Sequence, residues 1–401
     1  MQTKEEIRVC MDIGSKLHRV GIGLSSGPLL EAFDVAHTPQ GISDFFAKID
    51  SYVLLYNLPV SVAMEAYNGY ARPIDQQVLA KGYRLFNVNN NKLAQFKKVF
   101  PGAAKTDEID TQKMYELFSL SDHLPTAKQV LQEVIRAPEV NEKLKRLTRR
   151  RRALVDEKIP LVNRMQSDIL ACIPGLLDIT GSVDNVWFLN FITSRDDLVK
   201  LGSMRKDSIL AIKKVGKKYA EKILEWQKNA SFSAEIDYVG EMIIRDAKRV
   251  QELLSEISQI EKIINYHAQS SDIACRLKSI GGFGDTCSAE LAGEIGTIAR
   301  FSSEASLALY LGMAVLDNSS GTYRGSKQSI HVNRRAKMAM MTAVAHHVRD
   351  CEESKRYYEK KRAEGKKHNQ AVRATGRHLV RVIWSMLKNG RDYESRDIRN
   401  H

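Results

Sequence analysis

Asp107 and Asp110, three residues apart in Ala104-Lys105-Thr106-Asp107-Glu108-Ile109-Asp110, open a stretch that reads as a helix through Tyr115 and Phe118. Three residues is close to one helical turn, so the two carboxylates face the same way. Like charges at that spacing need a partner. A shared divalent cation is one; the helix's own dipole, which acidic first turns complement, is the other. Two further acids stand where strands end: Asp12 near the close of the apolar run 7–13, and Glu65 after Val60, Val62, Ala63 and Met64. A carboxylate on an otherwise apolar strand is costly when unpaired. Four carboxylates brought together are tolerated only around cations. Two Mg2+ ions about 3.5–4 Å apart take about that number of oxygen ligands and activate an oxygen for phosphodiester chemistry. Asp12 alone has other readings, a turn former in Asp12-Ile13-Gly14 or a phosphate contact of the actin-like ATPase kind, although no second glycine loop accompanies it.

These residues need elements to carry them. The run 7–13 has strand character, a turn feeds a second strand over 18–24, and a third follows over 29–35, a three-stranded meander. A helix over 41–56 presents Ile42, Phe45, Phe46 and Ile49 on one face, and 60–66 reads as a fourth strand. Residues 70–81 form a second helix and 83–88 a fifth strand; the helix with Asp107 and Asp110 follows a loop containing Lys, Gly and Pro. This β-β-β-α-β-α-β-α order predicts an RNase H-like α/β domain. In such a fold strands one and four lie side by side, so Asp12 and Glu65 converge at one sheet edge and the last helix brings Asp107 and Asp110 over them.

With 401 residues, 43% hydrophobic and 27% charged, the chain is an ordinary globular protein long enough for two or three cores. Its net charge of +13 is not ordinary, and points to a polyanionic partner. Nucleic acid leads; an anionic membrane surface is second, but no apolar run approaches the ~20 residues of a spanning helix. The start Met1-Gln2-Thr3-Lys4 is not a signal peptide, so a cytoplasmic, nucleoid-associated protein is expected. Five cysteines without C-x-x-C spacing predict neither disulfides nor zinc.

The middle of the chain is helical. Val140, Leu144, Leu147, Leu154, Leu161 and Met165 fall on a broken heptad seam, which Pro160 is expected to kink, and Ile243, Ala247, Val250, Leu254, Ile257 and Ile264 form a cleaner one. Two such helices flanking an excursion make a coiled-coil arm. On the first lies the run Arg149, Arg150, Arg151 and Arg152, either a solvated face or, more in keeping with four charges spread round a helix, a phosphate contact. The excursion, 173–233, is too long for a plain connection and clusters Lys213, Lys214, Lys217, Lys218 and Lys222; backbone contact and a solubilising surface are equally open readings. Further on, Leu277-Lys278-Ser279-Ile280-Gly281-Gly282-Phe283-Gly284 before Ala289 resembles the turn and second helix of a helix-hairpin-helix, whose glycines let backbone amides approach a phosphate. Arg324, Lys327, Arg334 and Arg335 then precede an apolar helix and are expected on DNA or RNA phosphates.

Lys105-Thr106-Asp107-x-x-Asp110, about forty residues after Met64-Glu65-Ala66, resembles the DEDD-type insertion-sequence transposases, a family that includes the Piv DNA invertases and the bridge-RNA-guided recombinases. The resemblance reaches into the C-terminal third. It implies three parts: a RuvC-like RNase H-fold catalytic domain over 1–125, a coiled-coil arm over 126–272 with a basic insertion at 173–233, and a mostly helical transposase domain over 273–401. It implies that Asp12, Glu65, Asp107 and Asp110 hold Mg2+, with Mn2+ as a substitute, and that Lys105 contacts nucleic acid. It places the nucleophilic serine of the family's S-G pair at Ser320, with Ser319 and Ser326 as lesser candidates, because the proline the family often has a few residues earlier is missing here. A serine ester would store the phosphodiester energy for rejoining. The implied partners are donor and target double-stranded DNA, a structured guide (bridge) RNA, and further copies of the chain as a homodimer assembling into a tetramer. The alternative is a metal-dependent junction resolvase in which water is the nucleophile.

Overall fold

A computed structural model of the chain describes residues 5–65, 69–98, 107–120, 131–327, 329 and 332–394. It divides into two compact units, 1–136 and 137–401.

The first unit is built on a six-stranded sheet. Its strands are β1 (Ile7–Asp12), β2 (Leu17–Leu24), β3 (Leu29–Ala36), β4 (Val60–Glu65), β5 (Arg84–Val88) and β6 (Leu131–Glu133), in the order β3-β2-β1-β4-β5-β6. β1 pairs antiparallel with β2 and parallel with β4. Because β1 and β4 are central, both faces must be covered, which explains their near-continuous apolar sequence. On one face Ile7, Val9, Met11, Val60, Val62 and Met64 pack against α1 (Pro39–Tyr56) and α2 (Arg72–Ala80), through Ile42, Phe45, Phe46 and Ile49 and through Ile74 and Val78. On the other, Cys10 and Ala63 pack with Leu93 of α3 (Asn90–Lys97) and with Met114, Tyr115, Leu117 and Phe118 of α4 (Asp107–Leu120). The expected meander and first two helices are present; α3 and the three-residue β6 carry too little periodicity to be read from sequence.

Among the described residues the second unit is helical apart from one hairpin. Its long helices are α5 (Glu139–Cys172) and α9 (Ile236–Ala268), which pack along each other as a two-helix arm, and Pro160 lies inside α5 without ending it. Between them α6 (Val186–Ile192), α7 (Lys206–Leu210) and α8 (Lys217–Gln227) close a separate core around Trp187, Phe188, Phe191 and Trp226. After α9 come α10 (Asp272–Lys278), α11 (Asp285–Ile295), α12 (Glu304–Tyr310), α13 (Arg334–Asp350), α14 (Glu352–Ala363) and α15 (His368–Asn389). The hairpin, β7 (Leu316–Ser320) with β8 (Tyr323–Lys327), interrupts the helices between α12 and α13. Among the described residues no helix is long and apolar enough to cross a membrane.

The arm shares its unit with the C-terminal helices, and the reason is close packing at its root. A Cβ on Gly293 of α11 would lie 2.5 Å from the Lys145 backbone nitrogen of α5, so only glycine permits the approach. Beside it Asn141 donates to the Gly296 carbonyl at 2.7 Å and accepts from Ser271 at 2.6 Å.

Candidate active site

Asp12 and Glu65 are partners in the parallel register of β1 and β4, each the last residue of its strand. Register partners point to the same face, here the α4 face, since Cys10 and Ala63 two residues earlier are both packed under α4. The direction of α4 follows from its contacts. Near its C-terminal end the Phe118 carbonyl accepts from Arg8 at 2.9 Å, and one residue pair nearer the strand end the Thr111 carbonyl lies 3.6 Å from the Cys10 sulfur. The helix therefore runs antiparallel to β1 with its N-terminal turn, carrying Asp107 and Asp110, toward the Asp12 end. Arg8 is buried; Glu6 pairs with it at 3.1 Å and in turn accepts from Ser61 at 2.6 Å, so the charge under α4 is matched.

Two glycines let α4 come this close. A Cβ on Gly21 would sit 2.8 Å from the Thr111 methyl, and one on Gly23 would sit 2.3 Å from the Tyr115 hydroxyl, which donates to the Leu24 carbonyl at 2.6 Å. Gly23→Ala is accordingly expected to displace the helix, costing about 1–3 kcal/mol in chemical unfolding. Wild-type stability in this variant would contradict the packing.

Asp12 is exposed, while Glu65 and Asp110 are half-buried. The Asp107 side chain and all of Lys105 lie outside the described residues. Among the described residues no three His, Cys, Asp or Glu side chains gather closely enough to hold an ion. Asp12 and Glu65 are thus brought together by the sheet, and the N-terminal turn of the helix is aimed at them. The candidate donors are carboxylate oxygens, which fit a hard cation; the Cys10 thiol on the same face is buried, and burial pushes its pKa up to about 12.

In the second unit Ser320 ends β7 and pairs with Tyr323 across the turn at Gly321 and Thr322, where Gly321 has φ of 57°. Ser320 thus stands on an exposed ribbon, beside its tip. Ser319 faces the opposite side of the ribbon, opposite Arg324, and Ser326 lies opposite Asp317. The base of the ribbon is tied. The Asn333 backbone N–H donates to the Tyr310 carbonyl at 2.9 Å, so segment 311–332 leaves and returns at one point. The Asn333 side-chain amide donates to the Tyr310 hydroxyl and to Glu294, both at 2.7 Å, while its oxygen accepts from the backbone of Arg335 and Ala336 and caps α13. Arg334 and Arg335, in the first turn of α13, and Lys327 are exposed; Arg324 lies on β8 with its side chain outside the described residues.

Glu294 is the hub of this tie. It is fully buried and accepts from Arg149 at 2.7 and 2.9 Å. Burial pushes its carboxyl up, but the hydrogen bonds from Arg149 and Asn333 more than offset this and hold it below the usual carboxylate range. One turn earlier Glu290 accepts from Arg152 at 3.2 Å, and with this single weaker bond burial wins and its pKa is raised. Arg151 pairs with Glu261 at 2.7 Å and Arg150 lies 3.9 Å from Glu256. The four-arginine run is therefore committed to intramolecular carboxylates that fasten α5 to α9 and α11, with only Arg150 largely exposed. Two of these acids, Glu290 and Glu294, are buried, and leaving either without its guanidinium would be costly.

Glu294→Ala is expected to cost about 2–3 kcal/mol, below the ~3–5 of a fully buried pair because the Arg149 side chain is 42% exposed. Since its folded pKa is depressed, the contribution is present above the ordinary carboxylate pKa of ~4.3 and is lost as pH falls through the folded value. Urea melts of wild type and Glu294→Ala should converge in acid and separate at neutral pH.

Two family models match the chain, both of transposases. One, the DEDD transposase model of the IS110 type, spans residues 9–174; the other, described as transposase of the IS116/IS110/IS902 family, spans 274–359. Together they cover well over half of the chain, including both candidate site regions. An insertion element IS900 uncharacterized 42 kDa protein of Mycobacterium paratuberculosis is 26% identical over 340 residues, covering 82% of this chain and 83% of the relative. An insertion element IS116 uncharacterized 44.8 kDa protein of Streptomyces clavuligerus is 24% identical, covering 78% and 79%. An insertion element IS110 uncharacterized 43.6 kDa protein of Streptomyces coelicolor is 26% identical, covering 74% of each. With acidic strand ends paired in one unit and the second match spanning the serine ribbon of the other, the chain belongs to the IS116/IS110/IS902 family of insertion-element transposases and is a DNA transposase/recombinase.

Proposed function

We propose that this chain cuts and rejoins DNA at element ends by a serine-linked route, with an RNase H-like first unit holding the metal. The observation that carries the reading is the in-register pairing of Asp12 with Glu65 on the central parallel strands, with the N-terminal turn of α4 directed to the same end. Asp12, Glu65, Asp107 and Asp110 hold Mg2+, for which Mn2+ can substitute. When bound, the ions offset the charge that develops on the scissile phosphate. Ser320 Oγ attacks phosphorus, the Ser–O–P bond forms as the bond to the deoxyribose oxygen breaks, and the serine proton is lost while the leaving oxygen is protonated. Rejoining is the reverse step with a different DNA hydroxyl, so the ester conserves the bond energy. Exposure at the tip of a tied ribbon suits Ser320 to reach a duplex while its base stays fixed.

The same reading includes donor and target duplexes, a structured guide RNA, and a homodimer that assembles into a tetramer. Exposed Arg334, Arg335 and Lys327 suit the nucleic-acid backbone. The test is a covalent adduct: incubation with duplex carrying the element end and Mg2+ should leave a DNA fragment on the protein, mapped by peptide mass to Ser320. Cleavage without an adduct would favour water as nucleophile, and RNA absent from active preparations would remove the guide.

A further inference from the structure

The insertion between α5 and α9 contains a turn whose backbone repeats the one between α10 and α11. Ile212-Lys213-Lys214-Val215-Gly216 corresponds to Ile280-Gly281-Gly282-Phe283-Gly284. In each the third residue has positive φ, 69° at Lys214 and 81° at Gly282. In each the fourth residue's N–H donates to the first residue's carbonyl at 3.0 Å, and its side chain, Val215 or Phe283, is buried. The fifth is a glycine that precedes the next helix and accepts, at 3.0 Å, from the residue four further on, Ala220 or Ser288. Ile223 and Leu291, three beyond those, are both fully buried. The two segments are copies of one helix-hairpin-helix turn. The first escapes a search for glycines because a lysine holds the left-handed position.

The copies differ in what surrounds them. The second is packed away: a Cβ on Gly282 would lie 2.3 Å from the His347 backbone nitrogen of α13, and the Gly281 carbonyl accepts from His347 at 2.7 Å. A Cβ on either fifth-position glycine, Gly216 or Gly284, would meet nothing within 4 Å, but at the first copy Lys213, Lys214, Lys217, Lys218 and Lys222 are all exposed. Between positions 213 and 222 the only acid is Glu221. None of the five lysines pairs with a carboxylate among the described residues, whereas Lys278 at the other copy pairs with Asp285 at 2.6 Å. The open turn is also held rigidly. Asn190 of α6 donates to the Lys213 carbonyl at 2.7 Å, and Gln251 of α9 donates to Asn190 at 2.8 Å.

We propose that this lysine-bearing turn is a docking surface for the sugar–phosphate backbone of double-stranded DNA, read by charge and not by sequence. An uncompensated cluster of five cations on and after a fixed turn is suited to phosphates. Single strands are not the fit, because they need exposed aromatic platforms, and the aromatic residues here are internal: Trp187 stacks on Tyr219 at 4.2 Å and Trp226 is buried. The surface would hold flanking duplex to the arm. It rests on the DNA substrate of the family and not on either of those assignments.

The test is fluorescence anisotropy of the full chain with a labelled duplex of arbitrary sequence, without divalent metal, at salt from about 50 to 200 mM. A variant with Lys213, Lys214, Lys217 and Lys218 all changed to Ala is expected to bind more weakly and to flatten the slope of log K against log salt by about 0.9 for each phosphate it no longer neutralises. Lys214→Gly, which suits the left-handed backbone, is expected to melt higher than wild type while flattening the slope by the value of about one phosphate. It keeps the proposal testable if the fourfold variant does not fold. Unchanged slopes in folded variants overturn the proposal, as does a larger loss on single-stranded DNA or duplex RNA than on duplex DNA. No cleavage is read, so failure of the carboxylate or serine assignments leaves the result untouched.

Discussion

Asp12→Asn and Glu65→Gln are each expected to lower strand cleavage and transfer by at least about a thousandfold while leaving the first unit folded. Each change keeps the shape of the side chain and removes one anionic oxygen donor. Both residues sit at the ends of their strands, Asp12 exposed and Glu65 half-buried, so the sheet does not depend on their charge. Their value lies in being register partners on one face. A metal that binds the folded state raises its melting temperature by mass action. Wild type is therefore expected to melt higher with millimolar Mg2+ than without it, and both variants should lose most of that increment. The thermal shift reads the ligand role without any DNA present. Variants that recombine at wild-type rates would show that the pair has no part in the chemistry. Variants that lose activity but keep the full Mg2+ shift would move the metal elsewhere.

Ser320→Ala is expected to remove the covalent protein–DNA adduct altogether and to reduce strand exchange by roughly ten-thousandfold or more, because no neighbouring group replaces a nucleophile that forms the bond. The same hairpin supplies the controls. Ser319 lies on the opposite side of the ribbon and Ser326 on the other strand, so Ser319→Ala and Ser326→Ala should keep the adduct. Persistence of Mg2+-dependent cleavage in Ser320→Ala would assign the nucleophile to water. An adduct lost from Ser326→Ala instead would shift the assignment along the ribbon. Neither outcome would disturb the family membership, which rests on both halves of the chain.

The first unit is closely legible in the sequence because its signals are local. Alternating and continuous apolar runs locate strands, and an acid at the end of such a run is conspicuous, so Asp12 and Glu65 stand out. The turn at Gly282 is readable for the same reason, since glycine marks a left-handed position. Its copy at Lys214 is not, because there the packing of Val215 and the bonds from Asn190 hold a lysine in that conformation. The arginine run at 149–152 shows the opposite limit. A charge run carries no label for its partner, and the acids that claim it lie far along the chain on α9 and α11. The one available hint is the spacing of Glu290 and Glu294, four apart on an otherwise apolar helix and thus on one buried face.

The sequence by itself nominated candidates for chemistry, an acidic set and, through the family resemblance, an S-G pair on a strongly basic chain, and it located the strands and the helix that carry the acids. Only the tertiary structure decided their pairing. Register set Asp12 beside Glu65, the Gly21 and Gly23 contacts set the approach of α4, and Glu294 with Asn333 closed the base of the serine ribbon. The physical reason is range. Periodicity and turn chemistry act over a few residues, whereas ion-pair choice, strand neighbours and helix docking depend on which distant groups are excluded from water together.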